Sequence, residues 1–141
     1  MNSGPNVLTL LAPLPRLGRR GFAADREQSY RRFRKMYSVA VVDDGVVGYA
    51  HAGPHPPRRV HQLYRLYVDP EHWRQGIARN LLAEIEQSLY DRDAGVYEAE
   101  VLAENDRAVA FYESTGFEQV EERETDHKGV TTTEYIFRKR L

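Results

Sequence analysis

Leu63-Tyr64-Arg65-Leu66-Tyr67-Val68-Asp69-Pro70-Glu71-His72-Trp73-Arg74-Gln75-Gly76-Ile77-Ala78-Arg79-Asn80-Leu81-Leu82 is the stretch on which the fold of this chain turns. An apolar strand runs into Pro70, a short loop follows, and a helix opens at Gly76. A helix begun in this way presents backbone N–H groups without partners and the positive end of its dipole. Such a terminus suits a phosphate or pyrophosphate. Arg74 and Gln75, just ahead of the glycine, add side-chain donors. Two other phosphate loops are excluded by spacing. The three glycines of a dinucleotide fingerprint are missing, and so is a Gly-Lys-Ser/Thr ending. A lone glycine also fits a plain strand-to-helix turn, so the loop alone does not decide the function.

The second informative stretch is Glu100-Val101-Leu102-Ala103-Glu104-Asn105-Asp106-Arg107-Ala108-Val109-Ala110-Phe111-Tyr112-Glu113-Ser114-Thr115-Gly116-Phe117. A strand ends, Asn105 caps a short helix, and Gly116 closes it. Taken together, the two stretches resemble the GNAT superfamily of acyl-CoA-dependent N-acyltransferases. That pattern is a central strand, then Arg/Gln-x-x-Gly-x-Gly/Ala opening a long helix. About thirty residues later come an Asn, a helix, and a Tyr just before Gly-Phe. Gly76 and Ala78 match the fourth and sixth loop positions. Asn105, Tyr112 and Gly116-Phe117 match the downstream part. The resemblance covers residues 38 to 141. Two positions depart from it. Trp73 stands where Arg or Gln is usual, and Tyr64 stands where several members carry a catalytic carboxylate.

Composition sets the outer bounds. The chain has 141 residues, 41% apolar and 29% charged, which fits one soluble globular domain over 1–141. It has no cysteine, so disulfides, Cys–His metal clusters and a cysteine nucleophile are excluded. The run Val7-Leu8-Thr9-Leu10-Leu11 is too short to span a bilayer, and no basic residue precedes it as in a signal peptide. The expectation is a cytoplasmic protein with no membrane partner. Net charge is −1, which argues against nucleic acid as a partner. The charge is uneven, however. Residues 1 to 37 carry +6 and residues 38 to 141 carry −7. The basic head reads either as a solvated helix face or as a contact for phosphate or an acidic acceptor.

Along the chain, residues 1 to 21 hold Pro5, Pro13, Pro15, Gly18 and Gly21 and read as a loose lead-in, with a short strand at Val7 to Leu11. Tyr30, Phe33 and Tyr37 recur at helical spacing and predict a helix over 22–36. Asp43-Asp44-Gly45 predicts a hairpin between Ser38–Val42 and Val46–Ala50. Three prolines predict a loop over Gly53–Arg59. Val60–Val68 is the next strand. Ile77, Leu81, Ile85 and Leu89, with Ala78 and Leu82, form the buried stripe of a helix reaching about Tyr90, with Gly95 as its stop. Val96–Leu102 is a strand. Phe117–Glu124 and Thr131–Leu141 form a last antiparallel pair. The fold class is α+β: a GNAT-like mixed, mostly antiparallel central sheet flanked by helices. Its N-terminal part is abbreviated, with room for one helix where the family usually has two.

The resemblance implies acetyl-CoA as co-substrate and a small-molecule or peptide amine as acceptor; a homodimer is left open. It places cofactor contacts on Leu66, Tyr67 and Val68 of the central strand, on Arg74, Gln75, Gly76, Ile77, Ala78 and Arg79 of the loop and helix start, and on Asn105. It also implies that the central strand splays from its neighbour and pairs its free backbone groups with the pantetheine arm. Tyr112 is the implied catalytic acid. A phenol is protonated at neutral pH and a thiolate leaving group needs a proton. Tyr112 is also one of nine tyrosines and equally reads as a core aromatic on helix position alone. The base stays open among Glu100, the His51, His55 and His61 group, and a water chain. The prolines between the histidines argue against a metal site. Glu118, Glu121, Glu122 and Glu124 read as a solvated strand face. A catalytically silent acyl-CoA-binding or regulatory module is the alternative, and a nucleotide-binding domain lacks its glycines.

Overall fold

The computed structural model describes residues 29–33, 37–42 and 45–141. Seven strands and two helices follow in the order β1 (Ser29–Phe33), β2 (Tyr37–Val42), β3 (Gly45–His55), β4 (Val60–Val68), α1 (Ile77–Asp91), β5 (Val96–Leu102), α2 (Asp106–Ser114), β6 (Glu118–His127) and β7 (Val130–Arg140). The strands form one sheet in the order β1-β2-β3-β4-β5-β7-β6. Only β4 and β5 run parallel; every other neighbouring pair is antiparallel. The mixed sheet with flanking helices agrees with the expected class.

Several elements fall where the sequence places them. Pro70 opens a 3-10 turn at Pro70–His72, ending β4 after Val68. β6 and β7 turn through Lys128 and Gly129, both with positive φ (54° and 81°), the tight turn whose twist suits a hairpin. The stripe on α1 is buried as expected. Ile77, Leu81, Leu82, Ile85 and Leu89 pack on Val47, Ala50, Ala52 and Leu63 of the sheet. Each such side chain contributes about 1.5–3 kcal/mol relative to exposure. α2 adds Tyr112, which meets Phe117 and Phe137 on the same face.

Three expectations are corrected. The helix over 22–36 is not formed at its centre. Ser29–Phe33 is instead a strand, paired with β2 from Ser29↔Val41 to Phe33↔Tyr37. The spacing of Tyr30, Phe33 and Tyr37 fits a helix, but the free edge of β2 supplies long-range backbone partners that spacing cannot reveal. The loop over Gly53–Arg59 is shorter than expected. β3 continues through Pro54 to His55, and only Pro56–Arg58 turns, as a 3-10 segment. Pro54 is accommodated opposite His61. Gly95 does not stop α1. The helix ends at Asp91, and the left-handed position after it belongs to Asp93. The lead-in, the strand at Val7 to Leu11 and most of the basic head lie outside the described residues.

One irregularity positions the site. β3 and β4 pair His51 with Arg65 but Ala52 with Leu63, so Tyr64 is an extra residue on β4. Such a bulge bends a strand and shifts its side-chain alternation. On the other edge, β4 pairs with β5 only at His61↔Tyr97, Gln62↔Glu98 and Leu63↔Ala99. From Tyr64 to Val68 the two strands part. Gly48 keeps β4 seated against β3 there, because a Cβ at Gly48 would lie 2.7 Å from the Tyr67 carbonyl oxygen.

Candidate active site

A cleft of about 870 Å³ opens where β4 and β5 part. One wall is β4 from Leu63 to Val68. The facing wall is Glu100, Val101 and Leu102 of β5 with α2 beyond them, and the start of α1 closes one end. Of the residues expected to bind cofactor, Leu66, Tyr67, Val68, Arg74, Gly76, Ile77, Ala78, Arg79 and Asn105 all line this one cleft. Tyr112 lines it too. Gln75 does not; its side chain is exposed beside the loop.

The end at α1 has the chemistry of an anion site. Gly76 takes φ +79°, a left-handed conformation that glycine adopts without strain. The first helical hydrogen bond runs from the Asn80 N–H to the Gly76 carbonyl at 3.0 Å. The amides of Ile77, Ala78 and Arg79 therefore precede the ladder, and no side chain caps the terminus. A Cβ built on Gly76 meets nothing within 4 Å, so the approach to these amides is open. Arg74, also left-handed at φ 66°, and Arg79 flank it. These residues fit a phosphate group. Trp73 replaces the Arg or Gln usual at the first loop position. Its indole N–H donates to the Val68 carbonyl at 2.8 Å and ties the loop to the end of β4.

Along the opposite wall, the Asn105 side chain accepts from the Ala108 N–H at 3.1 Å, a helix cap. Tyr112 is 9% exposed, and its ring packs edge-on to Phe111 and Phe117 at 5.4 and 5.0 Å. Burial pushes its phenol above the ordinary value.

The other end faces the opposite side of the sheet. Glu100 lines the cleft, and its Oε2 accepts from Arg123 Nη2 at 2.8 Å. Arg123 is held in turn by Glu134 at 2.7 Å. Tyr64, at the bulge, donates its phenol proton to the Pro54 carbonyl at 2.7 Å. His55 Nδ1 lies 3.2 Å from the Tyr64 hydroxyl oxygen, which has given its proton to Pro54 and so accepts from the imidazole. Burial, with Glu100 adding to it, raises the Tyr64 phenol, so this proton stays in place at neutral pH. Tyr64 stacks on His51 at 5.6 Å, and His51 on Tyr37 at 4.2 Å. Burial and then Arg65 lower the His51 imidazole, which favours its neutral form. The three histidines do not converge. His61 sits farther along β4, paired with Tyr97 of β5. Among the described residues, no group of three or more His, Asp or Glu is arranged to hold a metal ion. Among them too, no helix is long and apolar enough to cross a membrane. Glu118, Glu122 and Glu124 are exposed, while Glu121 pairs with Arg58 at 2.9 Å.

The model of the acetyltransferase (GNAT) family matches residues 8–117. This chain belongs to that family. An uncharacterized protein of Mycobacterium leprae is 31% identical over 121 residues, covering 83% of this chain and 32% of the relative. The N-alpha-acetyltransferase RimI of Mycobacterium tuberculosis is 37% identical over 76 residues, covering 54% of this chain and 46% of the relative. The chain thus spans from just under a third to just under a half of the length of these curated relatives. Among solved structures, a ribosomal-protein-alanine N-acetyltransferase from Brucella melitensis superposes with a TM-score of 0.67 at 31% identity, over 74% of this chain and 68% of that one. The sequence names Glu100 as a base candidate but leaves its face open, because alternation alone does not fix it; the fold turns it into the cleft. Arg107 gave no signal at all, since only the folded chain brings it over Trp73.

Proposed function

We propose that this chain transfers an acetyl group from acetyl-CoA directly to a primary amine. The observation that carries the reading is the parting of β4 and β5 beyond Leu63↔Ala99. It leaves strand backbone open along a cleft that runs from an uncapped helix terminus to a carboxylate. Acetyl-CoA supplies an activated thioester. The amides of Ile77, Ala78 and Arg79 hold its pyrophosphate, with the helix dipole adding to their field. Leu66, Tyr67 and Val68 offer backbone groups to the pantetheine arm as a neighbouring strand would. One of their N–H groups faces the thioester carbonyl and stabilises the charge that develops there. Asn105 faces them from the opposite wall of the cleft, for the pantetheine amides.

Glu100 orients the acceptor amine and takes its proton. Arg123 occupies one of its oxygens, and the other has no partner among the described residues. Tyr112 hydrogen-bonds the departing sulfur and returns a proton to it. Its elevated phenol is no obstacle, because the burial that disfavours phenolate disfavours thiolate as well. Tyr64, His51 and Tyr37 form the aromatic floor on the acceptor side. The similarity to an N-alpha-acetyltransferase and to a ribosomal-protein-alanine N-acetyltransferase favours an α-amino group as the acceptor.

The test is release of free CoA when the protein is incubated with acetyl-CoA and a panel of amines that includes peptide N-termini, lysine and small polyamines. Turnover on one class names the acceptor. Tight acetyl-CoA binding with no release above background on any amine would instead identify a silent acyl-CoA-binding module.

A further inference from the structure

The loop that opens α1 lacks a cation at its first position, and the fold brings one to the same place from another element. The Arg107 guanidinium carbon lies 3.9 Å from the centroid of the Trp73 ring. Both residues line the cleft. The indole is itself fixed by its 2.8 Å hydrogen bond to the Val68 carbonyl. Among the described residues, no carboxylate pairs with Arg107, whereas Arg58, Arg123, Arg138 and Lys139 all have carboxylate partners. Arg79 is different: its Nη2 already lies 3.3 Å from the Ser114 hydroxyl.

A guanidinium stacked by its face keeps its N–H donors free, because all of them lie in its plane. The stack also restricts a long side chain in advance, so less entropy is lost when an anion arrives. An unpaired cation held on an aromatic platform in the cleft is thus an anion ligand in waiting. We propose that Arg107, carried on Trp73, supplies from α2 the guanidinium contact to the donor's pyrophosphate that position 73 does not supply. The proposal rests on the acyl-CoA reading above. It makes Trp73 a platform, and it makes α2 contribute to phosphate binding as well as to the pantetheine wall.

The experiment measures acetyl-CoA affinity by calorimetry for the wild-type chain and for Arg107→Ala and Arg107→Lys. In parallel, turnover is measured with S-acetylpantetheine, which has neither pyrophosphate nor nucleotide. For Arg107→Ala, acetyl-CoA affinity is expected to fall roughly 10- to 100-fold, the range of one charge-assisted hydrogen-bonded contact. The salt dependence of binding should become shallower. The KM for S-acetylpantetheine should not move. Arg107→Lys should recover part of the loss, since it keeps the charge but not the stacked fork. A folded Trp73→Arg, Arg107→Ala double variant should bind better than Arg107→Ala alone. Unchanged acetyl-CoA affinity in Arg107→Ala overturns the proposal. So does an equal loss with both donors, which would mark Arg107 as a support for the cleft wall. A wild-type chain that does not bind acetyl-CoA overturns the acyl-CoA reading itself, and this proposal with it.

Discussion

Tyr112→Phe separates chemistry from packing more cleanly than any other single change in the cleft. The ring stays, and with it the contacts to Phe111 at 5.4 Å, Phe117 at 5.0 Å and Phe137 at 6.0 Å. Aromatic pairs of this kind contribute about 0.5–1.5 kcal/mol each, and all three are retained. The residue lines the cleft, and burial of its ring raises its phenol. Removal of the hydroxyl leaves the packed ring in place, so the melting temperature should change little. Turnover should behave in the opposite way. If the phenol protonates the leaving sulfur, kcat should fall roughly 10- to 1,000-fold, which corresponds to about 1.4–4 kcal/mol on the barrier. Affinity for acetyl-CoA should hardly change, because the hydroxyl acts on charge that appears only at the transition state. Tyr112→Leu is the packing control. It gives up three ring contacts and should cost about 2–4 kcal/mol of stability. The assays are steady-state CoA release, calorimetry and thermal denaturation. Equal kcat for wild type and Tyr112→Phe would refute the reasoning and leave Tyr112 a core aromatic.

Three further outcomes are expected. Gly76→Val should keep the fold at a cost of about 1–2 kcal/mol or more, because the position is left-handed at φ +79° but sterically open. It should lose acetyl-CoA binding, since the added carbons stand in front of the helix amides; unchanged affinity in a folded variant would contradict the phosphate assignment. Acetyl-CoA at 100 times its Kd should add about 2.7 kcal/mol of stability, read as a rise in melting temperature, and S-acetylpantetheine at the same concentration should add far less. Glu98 governs acid stability. Its side chain is 1% exposed; burial raises its carboxyl, but hydrogen bonds from Arg58 and Arg138 outweigh that and hold it below the ordinary value. The folded state therefore binds this proton less readily than the unfolded one. The stabilisation is complete above the unfolded value near pH 4.3 and is lost as pH falls through the lower folded value. Glu98→Gln should flatten that acid limb in denaturant melts from pH 7 to 3. It should also cost about 1–3 kcal/mol at neutral pH, because Arg138 loses its carboxylate while Arg58 keeps Glu121; an unaltered limb would mean that other carboxylates govern it.

What could be read from the residues alone follows from the range of the forces involved. α1 was legible because Ile77, Leu81, Ile85 and Leu89 encode their burial within one helix, and the glycine at its start is a local backbone requirement. The end of β4 was legible because Pro70 has no N–H to give a ladder. β1 was not, because Ser29–Phe33 becomes a strand only through pairing with Ser38–Val41 and Tyr37, a contact that no periodicity within 29–33 contains. The face of Glu100 was undecided for a related reason. Alternation says that Glu98 and Glu100 share a face, but only the pairing of β5 with β7 and the packing of Tyr97, Ala99 and Val101 under the helices says which. On β4 the difficulty is sharper. The extra residue at Tyr64 shifts the parity of everything after it, so counting in twos from Leu63 gives the wrong face for Leu66 and Val68.

That bulge and the early end of the β4–β5 ladder are best understood as one device. A strand that stays paired on both edges has no backbone left to offer a ligand. A strand bare along an outer edge invites pairing with other chains. Here the bare stretch lies at the centre of the sheet, between β4 and β5, recessed behind the start of α1 and the wall of α2. The side chains of Leu66, Phe111 and Tyr112 line it. The same parting lets Tyr64 and Glu100, which belong to the far face of the sheet, share a cavity with Tyr112 of the near face. On the proposed reading, a donor held on one side and an amine held on the other meet through the sheet, and direct transfer of this kind requires no cysteine nucleophile.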